Sequence, residues 1–241
     1  MAELKSDIEL FMSFFRKQFN IINSAEFQEN SSLYKKILIV GLIDTLSKSI
    51  YPRKGNRDRF VSFVRNFCDW KSCERISLPH LVRLLVKVPD TEFSQLREFA
   101  FTHADKWHEG GEISIDKDPD YREVQKYWPK DKEYTKPIED VQLESLKHVH
   151  LFYTYRNSLI HELRKPGYGM EHESDKEPYY HSMTHIAEKE TNSRELVYPL
   201  GFFKSICEES LTNIEKYYID NRINPYDSFT FGSYWLEELN K

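Results

Sequence analysis

The sequence predicts an all-α protein, an antiparallel helical bundle with extra N-terminal helices and long loops. Three observations carry that expectation. Apolar residues recur at steps of three and four over long stretches, the spacing that lines one face of a helix. Pro52, Gly55, Pro89, Gly110 and Gly111 fall between those stretches, where a chain turns. The chain shows no internal repeat and no low-complexity tract. With 241 residues it is long enough for one large domain or two small ones, and one domain spanning 1–241 is the expectation.

The elements follow in order. Leu4, Ile8, Phe11, Phe15, Phe19 and Ile22 share one face of a helix over about 3–23. From Ser31 to Ile50 apolar residues occur almost all round, at Leu33, Ile37, Leu38, Val40, Leu42, Ile43 and Leu46, as in a helix buried by several neighbours. Asn56 is placed to cap the next helix, whose Phe60, Phe63, Val64 and Phe67 form one stripe. Ser77 and Pro79 open another, and Pro89-Asp90 separates it from a helix over about 91–107. Residues 110–140 mix charge, proline and aromatics without a period, so they predict a surface excursion with one short helix at 121–128. A strong helix is expected over about 141–164, then a polar segment over 165–199 without clear structure, then a last long helix over about 199–221. The tail NPYDSFTFGSYWLEELN is aromatic enough to fold back on the body.

Composition excludes some functions. Thirty per cent charged residues and a net charge of −5 lack the basic excess of a non-specific nucleic-acid binder. Cys68, Cys73 and Cys207 are an odd number without metal-ligand spacing, as expected for reduced thiols. The start MAELKSDIELF lacks the basic, apolar and small-residue order of a signal peptide. The run Ile37–Ile43 is far shorter than the ~20 residues a bilayer needs. A cytoplasmic protein without a membrane partner is expected.

The stretch YRNSLIHE, residues 155–162, carries the candidate chemistry. At about 100° per residue, Leu146, Val149, Tyr153, Ile160 and Leu163 form a stripe with Arg156 in its middle. A guanidinium cannot shed its proton there, so it must meet an acceptor, an anion or a wet interface. Asn157 and His161 lie one turn apart on the stripe's edge, with His150 on the same edge. In a regular helix Arg156 and His161 are rotated about 140° apart, which spreads the site in one copy. Two copies meeting across a two-fold axis would gather both sets into one cleft, a geometric argument for a homodimer.

RNSLIH resembles the signature of the HEPN superfamily: an arginine, four to six residues, then a histidine, with a polar residue directly after the arginine. The same spacing also occurs from Arg75 to His80 and from Arg97 to His103. Ser77 and Pro79 place the first at a helix start, and Glu98 sets a like charge to phosphate beside the second arginine. Only Arg156–His161 joins the spacing to a polar neighbour, a mid-helix position and an arginine within an apolar stripe.

The resemblance implies a helical bundle with the motif on a late helix. It also implies metal-independent endoribonuclease activity, without a cofactor, at a composite dimer site, in a toxin–antitoxin or anti-phage defence setting with an antitoxin protein as possible partner. Other members of that superfamily are non-catalytic adaptors, so a nucleotide-binding or protein-interaction module is the alternative. Under the first reading the RNA 2′-hydroxyl attacks the adjacent phosphorus. His161 transfers protons, Arg156 holds the phosphate and its growing charge, and Asn157 orients phosphate or imidazole.

Further candidates for substrate contact are Lys165, Tyr168, His150, Arg53 and Arg57, the last two from the cluster Arg53, Lys54, Arg57 and Arg59. His181, His185 and Glu188 have a helix-face spacing compatible with a metal, but two histidines without a clear third ligand read as surface residues, and no metal is expected. A zinc-protease reading of His161-Glu162 fails because Lys165 stands where the second histidine is needed.

Overall fold

The computed structural model describes residues 2–107, 111–131, 134–172, 174–186 and 190–229. In chain order its helices are α1 (Ala2–Ser24), α2 (Ser31–Ile50), α3 (Asn56–Phe67), α4 (Leu78–Val86), α5 (Ser94–Ala104), α6 (Tyr121–Gln125), α7 (His148–Glu162) and α8 (Leu200–Asn221). The strands are β1 (Glu112–Ser114), β2 (Lys130–Asp131), β3 (Tyr134–Thr135), β4 (Tyr179–Ile186) and β5 (Glu190–Val197). The class is α-helical with a small sheet. The chain groups into two compact units: Met1–Asp69 with Lys204–Lys241, and Trp70–Phe203. No described helix is long and apolar enough to cross a membrane.

In the first unit, α1 buries Ile8, Phe11, Met12, Phe15, Phe19 and Ile22, the stripe its spacing predicts. It runs antiparallel to α8: Arg16 donates to both carboxylate oxygens of Glu215 (3.1 and 2.6 Å), and the Phe11 ring meets Tyr218 edge-on. Further along the pair, Asn224 donates to Asp7 at 2.8 Å. α2 buries Ile39, Val40, Ile43 and Leu46 but leaves Leu38 exposed, so one side of this apolar helix is open. Asn56 is the first residue of α3 rather than its cap; Gly55 holds the capping position with no side-chain bond to offer. The tail folds back as expected as far as Phe229, whose ring sits against Phe11 and Phe15. Its remainder, 230–241, lies outside the described residues.

In the second unit the expected excursion at 110–140 contains β1, the short α6 with its Asp120–Glu123 capping box, and the β2–β3 pair. The segment 165–199, expected to be without structure, holds a β-hairpin instead. β4 and β5 pair antiparallel from Tyr179↔Val197 to Ile186↔Glu190, and β1 adds to the other edge of β4 through Ile113↔Tyr180. The hairpin escapes a sequence reading because YYHSMTHI and ETNSRELV are largely polar and the link Ala187-Glu188-Lys189 contains no turn residue. Among the hairpin residues whose burial is described, Tyr179, Tyr180 and Val197, at its base, enter the core. There Trp70 meets the rings of Phe152, Tyr198 and Phe202 at 4.9–6.1 Å, a cluster that fixes α7 and the start of α8 in this unit.

Candidate functional site

α7 is shorter than its periodicity suggests. Lys147 is extended because its backbone bridges Ile76 and its ammonium binds Glu74 (2.9 Å) and Glu144 (2.6 Å), so Leu143–Leu146 form a separate 3-10 turn and the helix starts at His148. It ends at Leu163, whose left-handed backbone (φ 53°) allows Arg164 N to close a bond to Ser158 O at 3.4 Å.

The buried stripe is also rotated by about one residue from the expected one. Val149, Phe152, Tyr155 and Leu159 face the core, while Tyr153, Arg156 and Ile160 are half-buried and Leu163 is 62% exposed. Phe152 and Tyr155 win because their rings join the aromatic cluster on Tyr198 and Phe203. Arg156 therefore stands at the margin of the buried face, not in its middle.

That margin brings the three motif residues together within one chain. Arg156 Nη1 donates to Asn157 Oδ1 at 3.0 Å and lies 3.4 Å from His161 Nε2. The long arginine side chain spans the rotation that separates the two Cα positions, which corrects the expectation that one copy spreads the site. A guanidinium offers donors alone, so the contact requires Nε2 to carry the lone pair. An amide oxygen, a fixed cation and a basic imidazole nitrogen thus meet at the exposed end of α7. A phosphate oxygen arriving there would take over the Arg156 donor and release Nε2 to accept a proton.

The other sequence candidates divide. Lys165 donates to Gly169 O at 3.4 Å, Tyr168 is exposed, and half-buried His150 shares a strip of α7 with Thr154, Asn157 and His161. Arg53 and Arg57 are exposed in the first unit. Their neighbours are engaged: Lys54 binds Ser62 and covers the Tyr51 ring, and Arg59 binds Ser47 and Asp44, so the four do not act as one basic patch. His181 and His185 lie on strand β4, not on a helix, and Glu188 falls outside the described residues. Among the described residues no three potential ligands gather for a metal. In the two rejected stretches the arginines serve the fold: Arg75 binds Asp118 O, and Arg97 binds the carbonyls of Val88 and Pro89.

Behind α7 lies a polar chain that no local spacing announces. Asp118 Oδ2 contacts His148 Nε2 (2.6 Å) and accepts from the Tyr180 hydroxyl (2.6 Å), while its Oδ1 accepts from Leu78 N (2.9 Å), capping α4. The Tyr180 hydroxyl also meets Ser77 Oγ at 2.7 Å, and Ser77 Oγ meets His80 Nδ1 at 2.7 Å. Asp118, His148, Ser77 and Tyr180 are all fully or almost fully buried.

Four links need four protons, and one arrangement supplies them with Asp118 as acceptor. His148 Nε2–H and Tyr180 O–H point to Asp118, Ser77 O–H points to Tyr180, and His80 Nδ1–H points to Ser77. His80 Nε2 is then left with a lone pair. The ring lines a cavity of about 200 Å³ with Arg83, Thr154, Tyr155, Pro166 and Glu195 among its walls. A larger hollow of about 350 Å³, lined by Arg65, Asp69, Lys216 and Asp220, belongs to the first unit, contains no residue of α7 and is widely open.

Burial, helped by the Arg83 cation and the His148 ring and opposed by Glu195, pushes the His80 imidazole from 6.5 down to about 4. It is neutral at pH 7. Between these two values the unfolded chain binds a proton at His80 that the folded chain does not, so stability present above pH 6.5 is lost as pH falls toward 4. The expected loss is on the order of 2–3 kcal/mol. Urea unfolding of the wild type and of His80→Gln at pH 7 and pH 4.5 checks it: the variant should lose less stability by about that amount, and parallel losses would refute the assignment.

The fold and the site define a helical protein with an arginine–amide–imidazole group at a helix end beside a small cavity. No family model matches the chain, no curated protein does, and no solved structure does.

Proposed function

We propose that the protein is a metal-independent endoribonuclease of the HEPN type, acting in the cytoplasm as a homodimer in a toxin–antitoxin or anti-phage role. The observation that supports it is the contact of the Arg156 guanidinium with both Asn157 and His161 at the exposed end of α7. In the reaction the RNA 2′-oxygen bonds to the adjacent phosphorus and the bond from phosphorus to the 5′-oxygen breaks. The 2′-hydroxyl proton passes to His161 Nε2, Arg156 stabilises the charge growing on the phosphoryl oxygens, and the Asn157 amide holds the guanidinium in place. The leaving 5′-oxygen takes a proton from solvent or from the partner subunit's His161. A second copy adds a second guanidinium to the same phosphate, which is why a dimer suits the chemistry.

The nucleophile belongs to the substrate. An RNA oligonucleotide incubated in EDTA should therefore yield 2′,3′-cyclic phosphate and 5′-hydroxyl ends, and a 2′-deoxy substitution at the cut nucleotide should abolish cutting there. Cleavage of the 2′-deoxy position, or a requirement for added metal, would refute the mechanism.

A further inference from the structure

The proposed reaction leaves the cavity beside α7 unused. At about 200 Å³ it falls below the ~300–1,000 Å³ of sites for drug-sized ligands, so it has room for one ring-sized group. Tyr155 and Pro166 are among the apolar residues that line it. At its edge Arg83 Nη2 is tied to Glu195 Oε1 at 2.7 Å. His80 presents Nε2 as an acceptor fixed by the buried chain through Ser77, Tyr180 and Asp118, and so asks for an N–H on the ligand. Unpaired nucleobases have that chemistry, being flat heterocycles with N–H groups on their pairing edges, and proteins read single-stranded RNA by taking such bases out of the stack.

Thr154 connects the cavity to the Arg156 group. It lines the cavity, and Asn157 and His161 follow it at three and seven residues, about 60° and 20° away around the helix axis. Seven residues advance about 10 Å along α7, within reach of a base next to a phosphate held by Arg156.

We infer that this cavity is a base-binding subsite, taking one unstacked nucleobase of the RNA strand that is cut at the Arg156 group, with His80 Nε2 accepting an N–H of the base. The inference rests on the endoribonuclease reading and also has a readout of its own. The full-length protein is titrated with AMP, GMP, CMP and UMP by ligand-detected NMR, and its cuts in a mixed-sequence RNA are mapped. Thr154→Trp plugs the cavity from the exposed side of α7 without touching the buried chain, and His80→Leu removes the acceptor.

At least one nucleotide should bind the wild type and lose tenfold or more in affinity in both variants, and the wild type's base preference beside the cut should fade in them. Binding of none of the four, or equal binding by both variants, overturns the subsite. Cleavage by a wild type that binds no nucleotide overturns the subsite alone. Variant-sensitive binding by a wild type that never cuts RNA supports base recognition by the cavity and overturns the nuclease reading.

Discussion

Asp118→Ala is expected to destabilise the unit Trp70–Phe203 by about 2–3 kcal/mol, the cost of leaving buried donors without their acceptor. The carboxylate receives Leu78 N, the Tyr180 hydroxyl and His148 Nε2; alanine opens a void and takes this acceptor from Leu78 N and His148 Nε2, while the Tyr180 hydroxyl keeps Ser77 Oγ within reach. Burial and the nearby Asp118 charge hold the Tyr180 hydroxyl well above its ordinary range, so it keeps its proton and acts as a donor throughout. Tyr180→Phe removes one hydroxyl and should cost less, about 1–2 kcal/mol. Three of the four tryptophans, Trp70, Trp107 and Trp128, belong to this unit, so urea unfolding followed by tryptophan fluorescence reports mainly on it. A loss below about 1 kcal/mol in Asp118→Ala would contradict the buried chain.

Arg156→Ala is expected to lower RNA cleavage by about 10²–10³-fold, the usual cost of removing a group that stabilises transition-state charge. The fall should lie in kcat, with KM changing little, because the guanidinium acts most strongly on charge that grows during the reaction. Arg156→Lys should recover only part of the rate, since an ammonium restores the charge but not the planar fork that a guanidinium offers to two phosphate oxygens. Thermal stability should fall by much less than activity, because the contacts with Asn157 and His161 lie within α7. Equal losses of stability and activity would make Arg156 a structural residue.

Long helices were legible in the sequence because their burial follows from local spacing. α1, α2 and α8 lie where apolar periodicity puts them, within a residue at each end. The motif trio was legible too, since Arg156, Asn157 and His161 share one helix. Its geometry was not: periodicity alone cannot say which of two neighbouring stripes of α7 turns inward, and the aromatic partners of Phe152 and Tyr155 on the start of α8 decide that. The hairpin over 179–197 stayed hidden because its strands are polar and gain order from pairing with each other and with β1. The chain Ser77–Tyr180–Asp118–His148 joins residues from four separate stretches, so no short-range pattern could have marked His80 as the wall of a cavity.

His161 is the proposed proton carrier in RNA cleavage, and its removal should stop the reaction without unfolding the protein. Purified wild type and His161→Ala, matched for folding by circular dichroism, are incubated with RNA in EDTA. The wild type should cut, and the variant should be slower by about 10²–10⁴-fold, the contribution of a positioned acid–base group. Intact RNA with the well-folded wild type, or undiminished cutting by His161→Ala, would contradict it.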